Sequence, residues 1–95
     1  MQRTLAIAII LLISGCAAAP VQEMSDARQA IRAAKQAGAE EKTPSVYSSA
    51  EQDLVTAQIA LHRGEYSRAR HRALKAREKA VLARELSIGD KIPFE

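Results

Sequence analysis

A chain of 95 residues holds at most one domain, and its core must be economical, because aromatics make up only 3% of it (Tyr47, Tyr66 and Phe94). Alanine and leucine supply much of the 47% hydrophobic content, which favours helix over sheet, and a single cysteine, Cys16, excludes any intramolecular disulfide. The net charge of +3 is small but unevenly spread: Cys16 to Leu61 carries four basic and six acidic side chains, whereas His62 to Leu86 carries eight basic and three acidic, a split expected of segments that pair or of a basic outer face.

The chain opens with Arg3 and the terminal amine, followed by nine consecutive aliphatic residues from Leu5 to Ile13. Nine residues rising ~1.5 Å each cover about half of a ~30 Å hydrocarbon core, so the pattern reads as a signal-peptide hydrophobic region rather than a transmembrane helix. Residues 1–15 are expected to be removed, leaving 80 residues. The segment 16–23, which contains Pro20, is expected to be a tether, residues 24–87 the helical domain and 88–95 a C-terminal tail.

In the first helix, about 24–38, Ser25 is the candidate N-cap, and Met24, Ala27, Ala30, Ile31, Ala34 and Ala37 recur at spacings of three and four. Gly38 ends it, and Ala39 to Thr43 read as a polar connection. Thr43-Pro44 supplies an N-cap and a first-turn proline for the second helix, about 44–63, whose apolar seam is Tyr47, Ala50, Leu54, Ala57 and Leu61. Gly64 stands where a left-handed residue is needed. The third helix, about 65–87, has the seam Tyr66, Ala69, Ala73, Ala76, Ala80 and Ala83.

Folded back at Gly64, the two seams match in one antiparallel register: Leu61 with Ala69, Ala57 with Ala73, Leu54 with Ala76, Ala50 with Ala80, and Tyr47 with Ala83. The same register sets Asp53 opposite Lys79, and Glu51 opposite Arg77 or Arg84, as exposed pairs of ~0.2 to 1 kcal/mol each. Leu74, Val81 and Leu82 form a second apolar strip, expected to face the first helix. The fold class is all-α: a small alanine-rich antiparallel hairpin with a preceding helix, forming a three-helix bundle of up-down-up topology. In the tail, Ile88, Ile92 and Phe94 either pack back or await a partner.

Ile13-Ser14-Gly15-Cys16 resembles the lipobox of bacterial lipoproteins, an aliphatic residue and two small residues before a cysteine. The resemblance implies cleavage between Gly15 and Cys16, a diacylglyceryl thioether on Cys16 and an N-acyl chain of the palmitate type. Two or three acyl chains hold a protein durably where one does not. Ala17 after the cysteine resembles the outer-membrane sorting pattern, which implies a protein anchored there and facing the periplasm. The alternative is a simple secretory peptide cut near Ala17 to Ala19, giving a soluble secreted regulator.

Gly64-Glu65-Tyr66 with Ala69, Ala73 and Ala76 also resembles the turn and second helix of a tetratricopeptide repeat. Thr56 and Ala57 depart from that pattern, and no second copy occurs, so the likeness is one of hairpin geometry. Over the whole mature chain, the alanine-rich first helix, proline-led second helix and Gly-x-Tyr-x-x-Ala turn are similar to the bacterial lipoproteins grouped as domain of unknown function 4398. In longer relatives that domain can precede an OmpA-like peptidoglycan-binding domain, which implies an envelope role and no catalytic residues.

His62 and His71 lack the three or four convergent ligands that zinc needs, and a thin alanine bundle offers no pocket for a nucleophile and its base. The reading is therefore a non-enzymatic structural or adaptor module with no cofactor, no metal and no small-molecule substrate. Its expected partners are the membrane, through lipidated Cys16, and an envelope protein or a second copy. Export and the lack of an aromatic platform argue against nucleic acid. The alternative is a binder of anionic lipid or envelope glycan through Arg63, Arg68, Arg72 and Lys75.

Overall fold

The computed structural model describes residues 19–89. It is an all-helical compact bundle of three long helices, α1 (Val21–Gln36), α3 (Pro44–His62) and α4 (Tyr66–Ile88), with a single-turn helix α2 (Ala39–Lys42) between the first two. No described residue is in a strand.

The first helix starts three residues before the expected point. Pro20 takes the N-cap position, its carbonyl accepting from the Met24 N–H at 3.1 Å, and Ser25 lies inside the helix. Nothing in Val21-Gln22-Glu23 breaks a helix. Glu23 suits the positive end of the dipole, and Gln22 Nε2 donates to Asp26 Oδ1 at 2.9 Å one turn on. The helix thus takes up part of the expected tether. At its other end Gly38 adopts φ +85°, the left-handed conformation that closes a C-terminus. The segment expected as a polar connection instead makes the turn of α2, because Ala39 is fully buried and pulls the backbone inward.

Thr43 precedes α3 as anticipated, with Pro44 in the first turn, but its side chain does not cap. Its hydroxyl donates back to the Ala39 carbonyl at 3.1 Å and satisfies α2 instead. At the end of α3, Gly64 has φ +75°, its N–H donates to Leu61 O at 3.0 Å, and the Glu65 N–H donates to Ala60 O at 2.9 Å. These two bonds are the Schellman closure, which satisfies orphan carbonyls while reversing the chain.

Helix α4 is the centre of the bundle. Ala69, Ala73, Ala76, Ala80 and Ala83 are all fully buried along one face. Five methyls bring about 4 kcal/mol of apolar burial, and alanine loses no rotamer entropy in giving it. Towards the Gly64 turn, Ala73 and Ala76 pack with Met24, Ala27 and Ala57. Towards the other end, Ala80 and Ala83 pack with Ile31, Ala34, Ala39, Tyr47 and Ala50, and Leu54 joins the two layers. These groupings agree with the expected register of α3 on α4. They also show that α1 runs parallel to α4, so the first residues of α1 and the Gly64 turn lie at one end of the bundle.

Two parts of the expected packing are corrected. Asp53 and Ala60 are buried on α3, while Leu54 and Leu61 are only half-buried, because α3 covers a wider face than a two-helix seam. Tyr66 is 41% exposed rather than in the seam, and Leu74, Val81 and Leu82 are 40–46% exposed rather than under α1. Helix α1 reaches the same alanine stripe as α3 from the other side. Its flank is met by arginines: Arg70 Nε donates to Glu23 Oε1 at 3.2 Å, and Arg77, Arg84 and the edge of Val81 line a shallow groove with Asp26, Ala30 and Ala33. Ser87, the last residue of the expected third helix, is buried within α4, which runs one residue further; its hydroxyl donates to Ala83 O at 2.7 Å, and Lys42 Nζ donates to its carbonyl at 3.2 Å.

Candidate functional site

The four residues expected to form one anionic-surface cluster fall into three settings. Arg63 and Arg68 line one hollow beside the Gly64 turn with Thr56, Ile59, Ala60 and Glu65. Arg68 Nη1 lies 3.5 Å from Glu65 Oε1, one turn away on the surface, while Arg63 makes no ion pair with any described residue. Lys75 is exposed, more than two turns along α4 from Tyr66. Arg72 is not free for an outside ligand: its Nη1 lies 3.4 Å from Asp53 Oδ1. That guanidinium belongs to the α3–α4 interface.

Asp53 organises the charged contact that the register anticipates. Lys79 Nζ sits 2.6 Å from Asp53 Oδ2 and donates to Ser49 Oγ at 2.8 Å. The expected Asp53–Lys79 pair therefore forms, but its carboxylate is buried rather than exposed, at 6% for the residue. Oδ2 gains no aligned hydrogen bond from the ammonium, so the contact is a charge pair. Desolvating such a carboxylate cancels much of the Coulomb gain, which makes the triad a device for alignment more than for stability. The expected Glu51 pairing with Arg77 or Arg84 does not form, because those arginines face the α1 side. Glu51 instead lies near Tyr47. Burial first, then the negative charges of Glu51 and Glu40, push the Tyr47 phenol above its ordinary 10.0.

His62 and His71 are exposed, and no group of three or more His, Cys, Asp or Glu side chains converges among the described residues. None of the described helices is long and apolar enough to cross a membrane. Gly15 and Cys16, the expected cleavage and lipidation site, lie outside the described residues.

Sequence reasoning missed a grouping at the turn end. Val21 is 72% exposed at the start of α1, and Tyr66 is 41% exposed at the start of α4. The direction of α1 is as expected; the grouping is missed because the tether reading includes Val21, whereas the pairing of Met24 with Ala73 and Ala76, and of Glu23 with Arg70, puts it at the same end as Arg63, Tyr66 and Arg68.

The described residues thus form a parallel–antiparallel trio of helices packed on an alanine stripe, with shallow grooves between them. Residues 22–89 match the family described as Domain of unknown function (DUF4398), and the chain belongs to that family. No curated protein and no solved structure matches it.

Proposed function

We propose that the protein is a lipid-anchored, non-enzymatic module of the bacterial cell envelope, held at the outer membrane through Cys16 with its bundle in the periplasm, where it serves as a structural or adaptor component. The observation that carries this reading is the closeness of the lipobox-like Ile13-Ser14-Gly15-Cys16 to the helical domain: α1 begins at Val21, so only three residues separate the cysteine from Pro20, which is itself buried. An acyl group on Cys16 would hold the bundle close to a bilayer. The adaptor part is supported by Leu74, Val81 and Ile88, which recur at seven-residue steps on α4 and are 40–56% exposed. A strip of that kind suits an envelope protein or a second copy of the chain.

The test is expression in a bacterial envelope with an alkyne fatty acid. The wild-type chain is expected to take up the label and fractionate with outer membranes, and Cys16→Ala to lose both. Unchanged processing and fractionation of Cys16→Ala would refute the anchor. Sedimentation of the unacylated protein as a monomer at micromolar concentration would remove the second-copy version and leave a different envelope protein as the partner.

A further inference from the structure

Three observations bear on how such a bundle would stand on a bilayer. The first is direction. Met24 packs with Ala73 and Ala76, and Glu23 pairs with Arg70, so Pro20 lies about level with Ala69 and the Gly64 turn projects beyond it. The second is reach. The four Cα-to-Cα steps from Cys16 to Pro20 extend at most about 14 Å, whatever path they take. The start of α4 lies about 5 Å past the level of Pro20, so at most about 9 Å separates that end from the level of Cys16. A headgroup layer about 6 Å deep would fill most of that gap.

The third is chemistry. Among the described residues, the turn end presents Arg63, which has no ion-pair partner, and Arg68, which pairs with the half-buried Glu65. Exposed Tyr66 and Val21 sit at the same end. Long cationic side chains and an amphipathic ring beside an exposed aliphatic residue suit a membrane interface, where the stems lie in the apolar boundary and the charged tips meet phosphate. The uncapped N–H groups at the start of α4 add partial positive charge, since Glu65 makes no side-chain cap. At the opposite end the exposed Glu40, Glu41 and Glu85 are balanced by exposed Lys35, Lys42 and Arg84, so that end carries no excess of positive charge.

We propose that the bundle stands end-on, with the Gly64 turn resting on the lipid headgroup layer, Arg63 and Arg68 on headgroup phosphates and Tyr66 and Val21 at the interface. This rests on the acylation of Cys16 proposed above. It replaces the side-on contact through Arg72 and Lys75 with contact through one end.

The full acylated chain is reconstituted in phosphatidylcholine vesicles with and without phosphatidylglycerol, carrying an environment-sensitive probe on Ser67→Cys at the turn end or on Ser45→Cys at the far end. A quencher confined to the headgroup region reports contact. The probe at position 67 is expected to be quenched and that at 45 not, more strongly with phosphatidylglycerol. Removing Arg63 and Arg68 as alanines should lower the ratio of contacting to free bundle about fivefold per arginine, with helical circular dichroism unchanged and the Arg→Lys pair restoring contact. Equal quenching at both positions, or no response to the arginine changes, would overturn the end-on geometry while flotation with the vesicles still supported the anchor. Absence of an acyl mass on Cys16 together with failure to float would overturn both.

Discussion

The two flanks of α4 achieve contact by different means. On the α1 side the interface is dry: Met24, Ala27, Ile31 and Ala34 are buried against the alanine stripe, and the arginines stay at the rim. On the α3 side the same stripe meets a face that includes a buried carboxylate, with Arg72 and Lys79 closing over Asp53. The dry flank is the more forgiving of sliding, since one alanine layer resembles the next. A charge pair at a single level is not. The difference teaches that stability and register are supplied by different neighbours of one helix, a division suited to a domain with few large side chains.

The comparison breaks most visibly on the dry flank. Met24→Ala removes the largest fully buried side chain and is expected to cost about 3 kcal/mol, measured by urea denaturation. On the charged flank, Lys79→Ala leaves the buried Asp53 carboxylate with Arg72 as its only cation, and about 2 kcal/mol should be lost, below the range for fully buried pairs because water can enter. Gly64→Ala should cost about 1 kcal/mol through backbone strain alone, since a Cβ there meets no atom within 4 Å. Smallest of all, Asp53→Leu should change stability by less than about 1 kcal/mol, because both cations can return to water. Its effect should appear instead as a broadened distance distribution between spin labels on α3 and α4. A cost for Asp53→Leu as large as that for Lys79→Ala would show that the triad stabilises and does not merely align.

Tyr47 sharpens the comparison through pH. Its folded pKa is raised, so its contribution is complete below the unfolded value of 10.0 and is lost as pH rises through the folded value. Thermal stability should therefore fall above about pH 10, and Tyr47→Phe should flatten that fall, as read in alkaline melting curves.

Much of the fold was legible because alanine spacing carries geometry directly. The run from Ala69 to Ala83 marks one face of a helix, Gly64 marks the reversal, and together they determine the hairpin register. The placement of Leu74, Val81 and Leu82 was not legible: hydrophobicity suggested burial, but the chain already had enough alanine surface for α1 to cover, and the larger residues were left outside. Asp53 was read as a surface charge because its type outweighed its position. Its offsets of three from Ala50 and four from Ala57 put it on the buried face, and the same register that paired it with Lys79 could have shown this. Of the candidate site, Arg63 and Arg68 could be found from charge alone. Their company with Val21 was not legible, because the reading of residues 16–23 as a tether overlooks Pro20 as the cap of a helix beginning at Val21.

Because α1 and α4 run in parallel, the chain enters the bundle at one pole and leaves at the other. The 23 residues of α4 span about 35 Å, and the far pole is latched by Lys42 and Thr43 against Ser87, so that the last turn is held to the rest of the domain. The domain is in mechanical terms a strut: a pull between Pro20 and Ile88 loads the helix interfaces in shear along their whole length, rather than peeling them apart one turn at a time.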